Sequence, residues 1–415
     1  MSRTSSTTSS TARTAPLDDL RVITIEGWMA VPSASAILAD MGAQVIKIEP
    51  LTGDPMRGMS RKPKVEGAIV EHDLQFDVDN RGKHSIAVAL DKPEGQALVK
   101  RLVATADVFM CNLLPRRQAK FGLDPDSLKG INSSLVHATL TGYGTEGPEA
   151  QRPGYDVTAF FGRSGLYDAM REGDDGIVPM ARPAQGDHTT GLALVAAILA
   201  ALRLATRDGT YQVVETSLFE TAVWTQATDF ATTAVDRAPV RRRARQRQLS
   251  ITANRFPCGD GAWIVLNNPE PAAWPRFCKA LGQEGWIDEP EFADPKGRYE
   301  NMADLVERVD AVMQTASRDT WGERFDANGI IWGPVLALHE TAADPQADAI
   351  GLFPELDHER YGRYRTVNVP MRFNNADVRP RGPSPNLGQH TVELLDDLGL
   401  SATDIEELRR DGVVA

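Results

Sequence analysis

The sequence predicts an α/β protein with a large, doubly wound (Rossmann-like) parallel-sheet domain and a smaller α+β domain. Three observations carry this prediction. Short apolar strands alternate with helical segments up to about residue 225, turn residues separate them, and the composition then shifts to an arginine-rich stretch. Strands joined by helices of about ten or more residues favour parallel pairing with right-handed crossovers, which places helices on both faces of the sheet.

The elements of the large domain follow one another from residue 20 onward. Arg21–Glu26 (RVITIE) has the pattern of a buried strand, and Pro32–Met41, with proline near its first turn, has that of a helix. Asp91–Glu94 resembles a capping box that opens a helix running through Ala104. Further strands are predicted at Gln44–Glu49, His84–Leu90, Asp107–Asn112, Leu135–Thr141 and Tyr211–Val214.

The second half of the chain has a different pattern. An apolar run from Leu192 to Leu202 predicts a buried helix, because it is shorter than the roughly 18 residues that cross a bilayer. The segment 251–331 contains its own short strands and amphipathic helices such as Asn301–Thr315. Proline- and glycine-rich sequence from 369 to 388 precedes a final helical segment, Gln389–Arg410.

Charge and cysteine content exclude several classes of protein. The 45 Lys and Arg residues stand against 57 Asp and Glu, and the formal net charge of −12 argues against nucleic acid or a membrane surface as a partner. Three cysteines form no CxxC pair and no metal-ligand spacing, which predicts neither disulfides nor a metal site and favours a reducing, cytoplasmic location. The Ser/Thr-rich residues 1–16 lack an apolar core and are expected to be a disordered tail rather than a targeting peptide.

One glycine motif superficially indicates a dinucleotide site. Gly142–Gly147 matches GxGxxG and follows a predicted strand. A helix should begin directly after it to hold a pyrophosphate, but Pro148, Pro153 and Gly154 keep the chain irregular there. The context therefore argues against nicotinamide binding.

Asp187, in the segment QGDHTTG, is the most suggestive single position. It immediately precedes the apolar helix, where an ionised carboxylate faces the positive end of the helix dipole. The residues alone leave two interpretations open. Asp187 is either a plain N-cap or a functional carboxylate to which Gly186 allows close approach of a ligand.

Several segments, taken together and in order, resemble the family III CoA-transferases, the formyl-CoA and carnitine CoA-transferase group whose racemase relatives act on 2-methylacyl-CoA. The resemblance runs from about residue 17 to the C-terminus and weakens between about 228 and 262. The segments are VPSASAILADMGAQVIKIEP, GDPMRG, NRGKHSIAVALDKPEG, ADVFMCNLLP, GYGTEGPEAQRPGYD, QGDHTTG and LGQHTVELLDDLGLSATDIEELRRDGVV.

The resemblance implies a chemistry for Asp187. In that family an aspartate at the matching position attacks the acyl-CoA thioester and forms a mixed anhydride, after which CoA passes to a free carboxylic acid. Coenzyme A and acyl-CoA are then substrates, with no tightly bound cofactor and no metal. Two alternatives stay open, namely a 2-methylacyl-CoA-type racemase or isomerase and a CoA-binding protein without turnover.

The resemblance also implies which residues contact CoA. Lys83 and Lys120 match positions that face the phosphates, Asn112 and Leu113 border the nucleotide, and Tyr155 and Asp156 lie at the acyl end. The full set of implied contacts is Ala30, Arg57, Asn80, Lys83, Asn112, Leu113, Lys120, Arg152, Tyr155 and Asp156.

Some positions depart from the family pattern. Met29 stands where formyl-CoA transferases have a glutamine, Leu113 replaces an aromatic residue, and no glycine-rich lid is found near residues 250–265. These departures motivate the alternative without turnover. Tyr155 stands where the racemases have a histidine base, and tyrosine is a poor base at neutral pH because its ordinary pKa is about 10.

The resemblance further implies an interlaced homodimer in which the chain's C-terminal part returns to the large domain. The arginine cluster Arg237–Arg247 has three interpretations: solvated surface, a contact to an anionic substrate or to a second subunit, and nucleic acid binding. The expected bounds are 1–16 for the tail, 17–225 for the large domain, 226–250 for a linker, 251–335 for the small domain, 336–365 for a second linker, and 366–415 for the C-terminal part of the large domain.

Overall fold

The computed structural model describes residues 14–65, 68–69 and 71–415. Most of the predicted tail, residues 1–13, lies outside the described residues. Contacts group the chain into two compact units. The first comprises the residues up to Leu166 together with Met180–Ala231 and Ile350–Ala415, and the second comprises Tyr167–Pro179 and Thr232–Ala349.

The two units together contain the following strands and helices, numbered in chain order. The strands are β1 (Arg21–Ile25), β2 (Gln44–Glu49), β3 (Lys64–Val65), β4 (Ala68–Ile69), β5 (His84–Ala87), β6 (Val108–Cys111), β7 (Val136–Thr141), β8 (Gln212–Ser217), β9 (Arg255–Pro257), β10 (Trp263–Leu266), β11 (Trp332–Val335), β12 (Glu355–His358) and β13 (Gly362–Arg365). The helices are α1 (Ala30–Asp40), α2 (Leu74–Asn80), α3 (Pro93–Val103), α4 (Pro115–Phe121), α5 (Pro125–Lys129), α6 (Leu166–Ala169), α7 (Gln185–Asp208), α8 (Leu218–Thr225), α9 (Ala227–Asp236), α10 (Ala273–Leu281), α11 (Pro295–Glu300), α12 (Met302–Met313), α13 (Arg318–Ala327), α14 (Leu338–Thr341), α15 (Pro345–Ala349), α16 (Thr391–Asp397) and α17 (Ala402–Arg410). A π-helical segment, Asp156–Arg163, precedes α6.

The first unit is built on a parallel sheet, which confirms the predicted α/β class. Among the described residues, the strands β5-β2-β1-β6-β7-β8 form this six-stranded sheet in that order. The inner strands are fully buried, as expected for a parallel sheet covered on both faces. Because the order reverses between β1 and β6, a crevice opens at their carboxyl ends, which is where open α/β sheets bind ligands.

Helices α1 and α7 pack against each other in the layer that positions this crevice. Every residue of α1 is buried, and α7 buries a stripe that includes Thr190, Leu194, Val195 and Ile198. The two helices come close at Gly191, where an added Cβ would lie 2.3 Å from the Ser33 Oγ. Within the described residues, α7 is also the one helix long and apolar enough to cross a bilayer by length and composition, and here it packs against α1, β7 and β8.

Three predicted helix ends differ from the structure, each for a local reason. The capping box at Asp91 is wrong, because Pro93 takes the first helical position and makes Lys92 the N-cap, which has no side-chain bond. Helix α1 begins at Ala30, two residues before the predicted Pro32, because Trp28 adopts a left-handed conformation (φ 66°) and Met29 is the N-cap. The final helical segment is two helices, because Gly399 adopts φ 79° between them.

The second unit has its own sheet and core. The antiparallel strands β11-β10-β9 pack with helices around a cluster that includes Trp321, Phe277 and Phe325, all fully buried. Residues 167–179 lie within the range expected for the large domain, yet they group with this unit. Arg242 explains why, since it forms ion pairs with Asp168 (2.7 Å) and Asp174 (3.3 Å).

Part of the predicted arginine cluster is therefore engaged inside the second unit. Besides the pairs of Arg242, Arg245 contacts Asp310 at 2.5 Å and lies over the Phe256 ring. Arg237 and Arg243 are exposed. At least two arginines of the cluster thus stabilise the fold of this unit.

Candidate active site

A pocket of about 670 Å³ lies in the first unit at the carboxyl ends of β1, β6 and β7. This is the position that the reversal of strand order predicts. Its walls are mostly apolar, and the segments that follow the three strands contribute Gly27, Trp28, Ala30, Asn112, Leu113, Leu114 and Gly142. Asp187, from the first turn of α7, lines the same pocket.

Asp187 is not the N-cap of α7. The N-cap is Ala184, which adopts a left-handed conformation (φ 80°) and makes no side-chain capping bond. The helix begins at Gln185, so Asp187 is its third residue and lies within the positive end of the helix dipole. The plain-cap interpretation is therefore wrong, and the carboxylate is available to the pocket.

Gly186 sets the position of Asp187. It is buried, and an added Cβ would lie 2.8 Å from the Cβ of Asp156 and 2.7 Å from the Phe160 ring. Real Cβ atoms do not approach so closely, so only glycine fits here without displacing the π-helical segment. Two carboxylate side chains, Asp156 and Asp187, consequently come from neighbouring backbones.

The surroundings of Asp187 disfavour its ionised form. Burial and then the neighbouring carboxylate of Asp156 raise the pKa of Asp187 to about 7, with Asp79 acting in the same direction and His188 against it. The His188 Nε2 lies 3.0 Å from the Asp79 Oδ1. Burial lowers the pKa of His188, but the Asp79 bond and the nearby carboxylates outweigh it and leave that pKa above its usual value.

An aromatic pair forms one wall of the pocket. The rings of Trp28 and Tyr155 meet edge to face with centroids 5.3 Å apart. The backbone N–H of Trp28 donates a hydrogen bond of 3.3 Å to the Asp54 Oδ1. The carboxylate of Asp54 in turn binds the Nζ of the buried Lys47 at 2.5 Å. Trp28 is not among the residues predicted from the sequence, although its position just after the carboxyl end of β1, a central strand, is a signal that could have identified it. Met29, the position that departs from the family pattern, is the N-cap of α1 and is not part of the wall.

Asn80 and Lys83, both expected to contact CoA, are turned into the core instead. The Lys83 Nζ is fully buried and donates to the Glu26 carboxylate at 2.6 Å and to the backbone oxygens of Pro32 and Asp79. The Asn80 Oδ1 accepts hydrogen bonds from Lys47 and Lys83. The cause is Glu26, a buried carboxylate that requires a compensating cation. Burial lowers the pKa of Lys83 to about 8.

Three other predicted contacts also lie away from the pocket. Arg57 binds both carboxylate oxygens of Glu49, at 2.7 and 2.6 Å. Lys120 is exposed and lies over the Phe121 ring, and Arg152 is exposed and pairs with Glu149 at 3.0 Å. Arg57 and Arg152 thus pair with neighbouring acids, and Lys120 packs on a neighbouring ring at the surface.

Arg117 lines the pocket, whereas Lys120, the basic residue expected to face the CoA phosphates, does not. It lies on the same helix, α4, and is the only Arg or Lys among the described residues that line the pocket. The sequence does indicate a basic residue at this place, because Arg116, Arg117 and Lys120 lie within five residues of one another. The rotational phase of α4 decides which of them faces the pocket, and the sequence does not fix that phase.

The pocket therefore brings together some of the predicted residues and not others. Ala30, Asn112, Leu113, Tyr155 and Asp187 line it, and the Asn112 Nδ2 donates to the Gly27 oxygen at 2.8 Å, which joins two of the lining loops. Asp156 lies behind Asp187 and is itself buried. No group of three or more His, Cys, Asp or Glu side chains that could hold a metal ion occurs in the part of the chain that the structure describes.

Comparisons with known proteins place the whole fold in one family. The sequence profile of CoA-transferase family III matches residues 17–391. The succinate–glutarate CoA-transferase of Agrobacterium fabrum is 35% identical over 93% of this chain and 96% of its own length. The (R)-2-hydroxy-4-methylpentanoate CoA-transferase of Clostridioides difficile is 29% identical over 96% of this chain and 99% of its own. A crystal structure of a CaiB/BaiF family protein from Brucella suis has a TM-score of 0.81 at 29% identity and covers 93% of this chain and 100% of that one.

The raised pKa of Asp187 predicts a pH-dependent gain in stability for Asp187→Asn. A carboxyl group whose pKa is higher in the folded state than its ordinary 3.8 binds a proton more tightly when folded, so it destabilises the fold most above pH 7. Asparagine cannot ionise. We expect the urea midpoint of the variant to exceed the wild type's at pH 8 and the gain to shrink as the pH falls from 7 to 5.

Asp208→Asn, at the exposed far end of α7, is the matched control. Arg207 holds the pKa of Asp208 below its usual value, so Asp208 is ionised throughout the range from pH 5 to pH 8. The difference in urea midpoint between Asp208→Asn and the wild type should therefore stay constant over this range. A gain for Asp187→Asn that is equally constant across this range would contradict the assignment of a raised pKa.

Proposed function

This chain belongs to CoA-transferase family III and is an acyl-CoA:carboxylate CoA-transferase, and we propose that its reaction proceeds through a mixed anhydride on Asp187. The observation that carries the proposal is the position of Asp187, a carboxylate in the first turn of α7 that lines an apolar pocket at the switch point of the sheet. Its raised pKa makes it a stronger nucleophile than an ordinary carboxylate.

The first step exchanges a thioester for an anhydride. An Asp187 oxygen attacks the carbonyl carbon of the acyl-CoA, the carbon–sulfur bond breaks, and CoA leaves as its thiolate. The thiolate or the acceptor carboxylate then attacks the aspartyl carbonyl, which releases the donor acid with one Asp187 oxygen. If the acceptor carboxylate attacks, it forms its own anhydride with Asp187 directly. If the thiolate attacks, an aspartyl-CoA thioester forms first, and the acceptor carboxylate then breaks its carbon–sulfur bond, releases the thiolate and forms the same anhydride. In both cases CoA thiolate finally attacks the acceptor's carbonyl to give the new thioester and a free Asp187 carboxylate. Nothing is oxidised or reduced.

The first turn of α7 is suited to stabilise the tetrahedral intermediates. The leading N–H groups of a helix have no intrahelical acceptor, and those of Gln185, Gly186 and Asp187 belong to this turn. They would donate to the oxyanion that forms at the attacked carbonyl. The apolar walls, including Leu113 and the Trp28–Tyr155 pair, would limit the access of water, which would otherwise hydrolyse the anhydride.

Arg117 is the residue that we assign to the phosphates of CoA. The substrate carries several negative charges, whereas Lys83 is neutralised by Glu26 inside the core. Arg117 lines the pocket on the side formed by α4, where a guanidinium can bind a phosphate with two hydrogen bonds.

A homodimer, interlaced as in the family, is part of the proposal. Helix α9 has no buried residue, and the neighbouring Trp224 is 78% exposed. Helix α7 also carries apolar residues on the side away from its buried stripe, among them the exposed Leu204. Exposed apolar helices of this kind are typical of surfaces that a second subunit covers.

Light scattering during gel filtration should give twice the chain mass, and Trp224→Lys should shift the measured mass toward one chain mass. A wild-type protein of single chain mass would contradict this proposal.

Removing the Asp187 carboxylate should abolish CoA transfer. We expect Asp187→Ala to lose at least about a thousandfold in kcat, because the attacking oxygens are gone. Hydroxylamine added during turnover should trap a hydroxamate at Asp187 in the wild type, as peptide mass spectrometry would detect. Asp208→Asn serves as the control with normal activity. An Asp187→Ala protein that still transfers CoA at the wild-type rate would refute the proposal, and α-deuterium exchange without CoA transfer would favour the racemase alternative.

Arg117→Ala should raise the KM for acyl-CoA with a smaller effect on kcat. Loss of one charge-assisted contact to phosphate costs about 1.5–3 kcal/mol, which corresponds to roughly a tenfold to hundredfold rise in KM. Arg116→Ala is a close control, because Arg116 is an exposed neighbour on the same helix that does not line the pocket. Equal KM values for the Arg117→Ala and Arg116→Ala proteins would contradict the assignment.

A further inference from the structure

A second carboxylate lies directly behind the proposed nucleophile. Asp156 is the first residue of the π-helical segment and is only 3% exposed. Its Cβ lies 2.8 Å from the position that a Cβ on Gly186 would occupy, so its side chain packs on the backbone next to Asp187. π-Helical turns are rare and occur frequently at functional sites.

The two oxygens of Asp156 are in different situations. Oδ1 accepts a hydrogen bond of 2.6 Å from the Val157 N–H, whereas the buried Oδ2 has no hydrogen-bond partner. A buried carboxylate oxygen without a partner destabilises a fold. The bond to Val157 uses one of the two oxygens, so local hydrogen bonding does not account for the second, unpartnered oxygen of the carboxylate.

The charged groups around the pair offset its negative charge only in part, since the pKa of Asp187 stays raised despite His188. From α7 and α2 the pair is faced by His188 and Asp79, which are hydrogen-bonded to each other. From α8 comes Glu220, which binds the N-cap Ser217. The other charged residues of the packed elements are engaged or remote. Asp40 at the far end of α1 and Asp77 in α2 bind Arg81 and Tyr364, and Arg163 ends the π-helical segment. Arg203 and the Arg207–Asp208 pair lie in the last turns of α7, and Glu215 on β8 binds Thr145.

We propose that Asp156 is a positioning residue that holds a negative charge against Asp187 and thereby favours its acylation. The inference rests on the proposed function, since it concerns the same anhydride. Repulsion between the two carboxylates exists only while Asp187 is free, because acylation converts Asp187 into a neutral anhydride. The free enzyme is therefore raised in energy relative to the acylated enzyme, and this difference lowers the barrier to attack.

Paired carboxylates elsewhere behave in this way, with one member of the pair holding a proton more tightly than an isolated acid does. The raised pKa of Asp187, to which burial contributes first and Asp156 second, is consistent with such a pair. His188 opposes the effect of Asp156 on Asp187, but burial and the carboxylates of Asp156 and Asp79 together outweigh it.

Asp156→Asn tests the inference, because it removes the charge and keeps both the size and the acceptor for Val157. Single-turnover release of CoA thiol would be measured from pH 5 to pH 9 at saturating acyl-CoA. In the wild type we expect the rate to fall below about pH 7. In the variant, the midpoint should move down by about one pH unit and the plateau rate should fall by about tenfold. Asp156→Ser, which also keeps an acceptor without charge, should give the same shift and serves if the first variant folds poorly.

Two outcomes would overturn the inference, and they can be told apart. If acid-quenched samples of both proteins carry the acyl group on Asp187 but the midpoints coincide, Asp156 has only a structural role and the proposed function still stands. If the wild type carries no acyl group on Asp187 while CoA is transferred, the proposed function fails, and this inference fails with it.

Discussion

Close backbone packing around the first turn of α7 is the constraint on which the rest of the site depends. Gly186 lies against Asp156 and Phe160, and five residues later Gly191 lies against α1. Between these two contacts the helix has little freedom to slide or rotate, because protein interiors are close-packed. Asp187 is therefore held at the carboxyl edge of the sheet, where the strand order reverses and the pocket opens. In the proposed reaction, a carboxylate fixed in this way would need little reorganisation before its attack on the thioester.

The acidic residues near the pocket differ in whether a cation compensates their charge. Glu26 is fully compensated, since Lys83 and Lys47 lie within 2.6 and 3.7 Å of it and hold its pKa below the usual value against the effect of burial. Among the described residues, Asp156 and Asp187 form no ion pair with a lysine or arginine, and His188, whose charge opposes the effect of Asp156 on Asp187, is itself bonded to Asp79. The first arrangement stabilises the loop between β1 and α1 that carries Trp28, and the second keeps a carboxylate reactive. Burial thus produces a structural ion pair in one place and, in the proposed reaction, a nucleophile in the other.

Much of the fold follows from the sequence, because strand positions depend on local apolar runs and turn residues. The strands at Gln44–Glu49 and Val136–Thr141 begin and end within a residue of the predicted bounds. The site was harder to predict, because tertiary contacts decide it. Lys83 turns inward only because Glu26 is buried beside it, and the phase of α4 selects Arg117. The start of α7 depends on a left-handed Ala184, for which alanine gives no sequence signal.

The path of oxygen atoms tests the central claim most directly. In the proposed reaction, the bridging oxygen of the acceptor's anhydride remains on the aspartate when CoA leaves with the acceptor's acyl group. After turnover with an acceptor acid labelled with oxygen-18 in its carboxylate, peptide mass spectrometry should find heavy oxygen on the side chain of Asp187 and on no other acidic residue. CoA transfer that leaves Asp187 unlabelled would contradict the account.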